Sequence, residues 1–175
     1  MHEADCAAAN RPHVACMNHG ATTPEPAIGA SEAEFPYWFG GFDDRLGIVR
    51  RCVIYADGQA WLSDGRCAFL MRQNELKTKT VKDMADVIRL SIRGATVNVQ
   101  EGHIMFEPDT PPNQLGYGAR NFVIRFGGRI LRGLDVALAR RLYGDLSWAM
   151  NPDDVRAPIV AFAAGHPVGI IMPNI

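Results

Sequence analysis

Along most of this chain, apolar residues fall in short runs, several of them closed by turn-forming residues. Such runs predict strands over residues 48–55, 60–63, 67–71, 97–100, 103–106, 121–126, 146–150, 157–162 and 168–173. The closing turns are Asp57-Gly58, Asp64-Gly65, Glu101-Gly102, Asn151-Pro152-Asp153-Asp154 and Gly165-His166-Pro167. Residues 157–173 with the strand before them therefore read as a three-strand antiparallel meander. The pair 97–100 and 103–106 reads as a further hairpin.

Two stretches follow a helical period instead. One opens at Thr80, where Thr80 and Asp83 have capping-box spacing, and stops at Gly94. Its Val81, Met84, Ala85, Ile88 and Ile92 recur at helical spacing and are expected to face the core. The other starts at Leu131 or Asp135 and ends at Tyr143, with Gly144 as the stop. Val136, Leu138, Ala139 and Leu142 are its apolar residues. Strands, helix, strands, helix, strands make an α+β protein. Its sheet is largely antiparallel, with two helices packed on one face.

Residues 1–34 lack periodicity and are rich in Ala, Pro, Gly, Asn and Thr, so they read as a flexible or loosely packed leader. Residues 35–175 form a single domain. At its start Phe35, Tyr37, Trp38 and Phe39 crowd five positions. Rings of that size are costly to leave in water, so they either cap the core or make a partner-binding patch.

Length and composition narrow the class. A chain of 175 residues with 47% hydrophobic and 21% charged positions has the makings of one core. No apolar run is long enough to span a bilayer, and the first residues lack a basic-then-apolar layout. A cytoplasmic protein with no membrane contact is the expectation. Four cysteines in such a chain are expected to be reduced, with Cys52 and Cys67 as small buried residues. The formal charge of -1 hides an asymmetry: residues 1–40 carry one Arg against five acids, and the remainder carry 17 Lys and Arg against 14 acids. A mildly basic body is compatible with nucleic acid and equally with ordinary solvated faces.

No catalytic constellation stands out. Ser63, Ser91 and Ser147 lack nucleophile-elbow surroundings, and His103 and His166 sit beside turns. The acid pairs Asp43-Asp44 and Asp153-Asp154 suit turn chemistry. No phosphate-binding glycine motif is present. Cys16 and His19 have a spacing that suits zinc, but the surrounding His2, Cys6 and His13 match no zinc module, so no metal or other cofactor is expected.

The tail carries a resemblance. Gly128-Arg129-Ile130-Leu131-Arg132-Gly133-Leu134-Asp135-Val136-Ala137-Leu138 resembles the last helix of the bacterial DNA sliding clamp. Leu146 to Met150 resembles the strand after that helix, and Ala157-Pro158-Ile159-Val160 the strand that begins with proline. Val168-Gly169-Ile170-Ile171-Met172-Pro173 resembles the terminal strand with its Met-Pro ending. The likeness covers about 50 residues, with a weaker one at the hairpin 52–65. It implies a clamp-like domain in which two helices face DNA, without catalysis.

The resemblance implies non-specific contact with duplex DNA, a replication partner, or self-association into a homo-oligomer. Lys82, Arg89 and Arg93 fall on one stripe of the first helix, opposite its apolar face. Arg132, Arg140 and Arg141 are candidates on the second, with Arg129 near its start. Such a basic face touches phosphate or is simply solvated. The resemblance also implies a partner pocket lined by Met172, Pro173 and Ile175, residues that otherwise close the core. A chain of this length holds one such domain, where a clamp subunit carries three. The alternative is a protein-binding inhibitor or regulator, such as a phage or mobile-element anti-defence protein, that touches no nucleic acid and uses residues 35–39 or a sheet edge.

Overall fold

A computed structural model describes residues 28–40, 51–95, 97–99, 105–106 and 123–174. The turn Glu101-Gly102, His103, the pair Asp43-Asp44 and the Cys/His cluster of the first 20 residues lie outside them.

The structure is α+β with mostly antiparallel sheet. β1 (Cys52–Ala56), β2 (Gln59–Ser63) and β3 (Cys67–Met71) form two consecutive hairpins. Asp57 and Gly58 join the first pair with φ of 51° and 75°. Two positive φ values match the twist of the flanking strands. Asp64 closes the second turn by accepting the Arg66 and Cys67 N–H groups on Oδ1, at 2.9 and 3.0 Å.

The helix α1 (Ala85–Gly94) starts five residues later than Thr80, so the capping-box reading is corrected. Residues 80–82 instead lie along β1: Val53 N–H donates to Thr80 O at 2.7 Å and Lys82 N–H to Val53 O at 2.9 Å. Edge pairing satisfies backbone groups that a helix start would leave open. Val81 and Met84 are consequently exposed, while Ile88 alone of α1 is fully buried.

β4 (Val97–Val99) pairs with β8 (Ser147–Met150), and β5 (Met105–Phe106) pairs with β6 (Val123–Phe126). The expected hairpin of β4 with β5 is therefore replaced by two separate pairings. A strand absent from the sequence reading, β7 (Arg129–Arg132), follows β6 across the turn Gly127-Gly128. It occupies the first part of the segment read as a clamp helix, and α2 (Gly133–Tyr143) begins after it. Gly144, with φ of 76°, ends α2 as expected.

β8, β9 (Ile159–Ala163) and β10 (His166–Ile171) make the terminal meander. Its last turn is Ala164-Gly165, and His166 and Pro167 belong to β10. The larger sheet runs β1-β2-β3-β10-β9-β8-β4 and the smaller β5-β6-β7. The chain's last strand thus enters the middle of the sheet, between β3 and β9.

Successive residues on a strand face opposite sides. Trp61 and Leu62, Phe69 and Leu70, and Ile170 and Ile171 are all buried, so both faces at the sheet centre are covered. On one face Phe69 meets Phe35, Phe39 and Tyr143, with ring centroids 6.0, 5.7 and 6.4 Å away. Further along, Trp148 faces Phe126 at 6.2 Å, beside Ile124, Leu131 and Val136. α1 lies against β1, β9 and β10, and α2 against β10, β6 and β7.

The packed body begins before Phe35. Ala30 bridges Met71, accepting from Arg72 N–H and donating to Leu70 O, both at 3.0 Å. Glu32 accepts the Lys77 N–H at 2.5 Å, the Thr78 N–H at 2.8 Å and the Thr78 hydroxyl at 2.5 Å. Residues 28–34, expected in the leader, therefore belong to the domain.

Candidate partner-binding surface

α1 presents two apolar faces. Ile88, with the partly buried Ala85 and Ile92, packs inward. Val87 and Leu90 stay 47% and 63% exposed. Val87, Leu90, Ser91 and Gly94 follow i, i+3, i+4, i+7 spacing, which puts them on one side of a helix. They form one wall of a surface cleft of about 390 Å³. The loop between β8 and β9 forms the other, with Asn151, Asp154, Arg156, Ala157 and Pro158.

That second wall is held from behind. Arg129 is buried, and its guanidinium donates to Gly127 O at 3.1 Å, Asp154 O at 2.7 Å and Asn151 O. Met150 Sδ lies 2.9 Å from the same group. Asn151 Oδ1 takes the Asp153 N–H at 3.0 Å and Asp154 Oδ1 the Arg156 N–H at 2.9 Å. Side-chain caps of this kind fix a turn without regular structure. A buried cation carrying several carbonyls keeps the loop in place, because releasing any one leaves a polar group unsatisfied.

Ser91 donates its hydroxyl to Val87 O at 2.7 Å, so it is engaged within its own helix. Among the described residues, no group of three or more His, Cys, Asp or Glu side chains is arranged to hold a metal. Cys52 and Cys67 are buried free thiols, and burial pushes both above the ordinary thiol range, Cys67 well above it. A neutral buried thiol is a poor nucleophile.

Of the six cations expected on a DNA face, five are exposed and Arg132 is partly buried. Lys82 precedes α1 and leaves the stripe. Arg89 pairs with Asp57 at 2.8 Å and Asp86 at 3.0 Å, hydrogen bonds that hold it cationic. Arg93 is exposed in the last turn of α1. Arg132 is drawn inward, its Nε 3.0 Å from both Asp135 oxygens and its guanidinium 5.4 Å from the Trp38 ring. Arg140 is exposed, and Arg141 donates to Glu34 O.

The expected partner-binding residues divide as well. Phe35 and Phe39 are inside the core, which removes them from any contact surface. Trp38 is partly buried over Arg132, and Tyr37 is 77% exposed. Met172 is 40% exposed and Pro173 half-buried, on a tail whose Met172 N–H donates to Arg66 O and Asn174 N–H to Ile130 O. Ile175 lies outside the described residues. His166 is exposed at the start of β10.

Sequence reasoning missed the cleft. Its signal was the pair Val87 and Leu90, apolar residues that lie off the inward stripe. No family model, curated protein or solved structure matches this chain. No helix among the described residues is long and apolar enough to cross a membrane.

Proposed function

We propose that the protein is a non-catalytic, clamp-like accessory module that holds a protein partner, with an apolar side chain of that partner seated in the cleft between α1 and the β8–β9 loop. The observation that carries this reading is the exposure of Val87 and Leu90 on a helix whose other apolar face is already packed. Burying such side chains yields about 25 cal/mol per Å² removed from water, which favours a protein contact. The cleft volume lies at the low end for specific pockets, suited to one or two side chains. The Arg129 scaffold supports the reading because a preformed wall lowers the ordering cost of association.

The test is a selection from a random peptide library on the wild-type protein, counter-selected on Leu90→Asp. Enriched peptides sharing one apolar anchor, and weakened about tenfold or more by Leu90→Asp, are the expected result. Peptides that bind both proteins equally would refute the assignment.

A further inference from the structure

We propose that the occupant of the cleft is a second copy of this chain. In that pair the two α1 helices lie antiparallel across a two-fold axis beside Leu90, and the Leu90 of each copy enters the cleft of the other. The inference rests on the reading of the cleft as a protein-binding site and names what binds there.

The α1 wall has the form that receives a leucine from a packed helix. Such a side chain inserts into a hole made by four residues of the facing helix, spaced i, i+3, i+4 and i+7. Val87, Leu90, Ser91 and Gly94 have that spacing and are the α1 residues of the cleft. Gly94 adds no side chain, and a Cβ built there would find its nearest neighbour, Asn151 Nδ2, at 4.0 Å. Ser91 already donates its hydroxyl to Val87 O, so an apolar side chain above it strands no donor. Leu90 is the most exposed apolar residue of α1 and stands at the middle of this hole. A residue central to its own hole suits a two-fold contact, in which both copies offer the same patch.

The charges on α1 fix the direction of the pairing. The helix carries three charged residues, Asp86, Arg89 and Arg93. Arg89 is engaged by Asp57 and Asp86. Arg93 is exposed and makes no ion pair with a described residue. Asp86 gives only Oδ1 to Arg89 and is 86% exposed, so Oδ2 is open to a further cation.

Asp86 and Arg93 are two turns apart, and Leu90 lies four residues after the first and three before the second. All three therefore share one side of the helix. Antiparallel pairing about Leu90 sets the Asp86 of each copy beside the Arg93 of the other, twice over. It also opposes the two helix dipoles. Parallel pairing would set acid on acid and cation on cation.

Sedimentation equilibrium of the full chain tests the pair. A contact built on one ten-residue helix is small, so the series runs from about 1 to about 500 µM. The wild type should pass from monomer to dimer within that range. Leu90→Asp should weaken the dimer about tenfold or more. Asp86→Arg and Arg93→Asp should each weaken it about fivefold or more, because each sets like charges together. The double variant Asp86→Arg, Arg93→Asp should dimerise about as the wild type does, because the ion pair is exchanged and not lost. Thermal melting shows that each variant is folded. A wild type that stays monomeric throughout overturns the proposal; peptides still selected on the cleft would then give it to a different protein. A dimer indifferent to Leu90→Asp overturns it too, as does a double variant weaker than both single ones.

Discussion

Gly169 of β10 stands opposite Phe69 of β3, and its missing side chain is what admits the Phe69 ring. A Cβ on Gly169 would lie 3.2 Å from two ring carbons of Phe69 and 3.4 Å from Ala161 Cβ. The ring has no room to retreat, because Phe35, Phe39 and Tyr143 surround it. Gly169→Ala should therefore destabilise by about 1–3 kcal/mol despite the better strand propensity of alanine. Urea denaturation measures it, and a variant as stable as wild type would show a softer core.

Ala164 occupies the first position of the β9–β10 turn with φ of 48°, a conformation that favours Gly, Asn or Asp. Ala164→Asn should raise stability by about 0.5–1 kcal/mol through relief of that strain. The same denaturation experiment detects the gain, and a loss would mean the side chain serves a contact.

Glu32 links the start of the domain to the connector between β3 and α1. Burial raises its pKa, but the Thr78 hydroxyl, the Lys77 and Thr78 N–H groups and the Arg51 charge outweigh that and hold it below the ordinary 4.5. A carboxylate with a lowered folded pKa contributes stability that is present above the unfolded value and lost as pH falls through the folded one. Glu32→Gln should therefore cost more stability near about pH 7 than near about pH 3. Equal costs at both would mean that the charge contributes nothing.

Arg132 and Arg140 are both arginines of the expected basic face, yet their surroundings differ. Asp135 is buried, and Arg132 is its bidentate partner, with Asp64 3.9 Å away. Arg132→Met leaves a buried carboxylate without its cation and should cost about 3–5 kcal/mol. Arg140→Ala, at an exposed site, should change stability by less than about 0.5 kcal/mol. Similar costs for the two would contradict the division between buried network and surface.

The hairpins of β1, β2 and β3 were legible because short strands bounded by Asp-Gly turns encode their own pairing. The terminal meander was legible as three strands, with its last turn at Ala164-Gly165 and not at Gly165-His166-Pro167. β7 was not, since Arg129, Ile130, Leu131 and Arg132 fit the helical period of α2; the Gly127-Gly128 turn was the competing signal. Alternation marked β4 and β5 as strands but carried no information about partners, and distant β8 won β4. Thr80 and Asp83 matched a capping box, yet an open edge at Val53 took the segment as a strap. The candidate surfaces were the least legible, because the cleft joins residues about 60 positions apart. The pairing of Arg89 with Asp57, brought in from a hairpin turn, could not be read from spacing along the helix.

The central claim is that a partner's apolar side chain sits between Val87, Leu90 and Pro158. Methyl-resolved NMR of the protein, titrated with a selected peptide, tests it most directly. Shifts are expected at Val87, Leu90 and Ala157, with little change at Met172. Shifts confined to Met172 and the C-terminal tail, with Val87 and Leu90 unmoved, would contradict it.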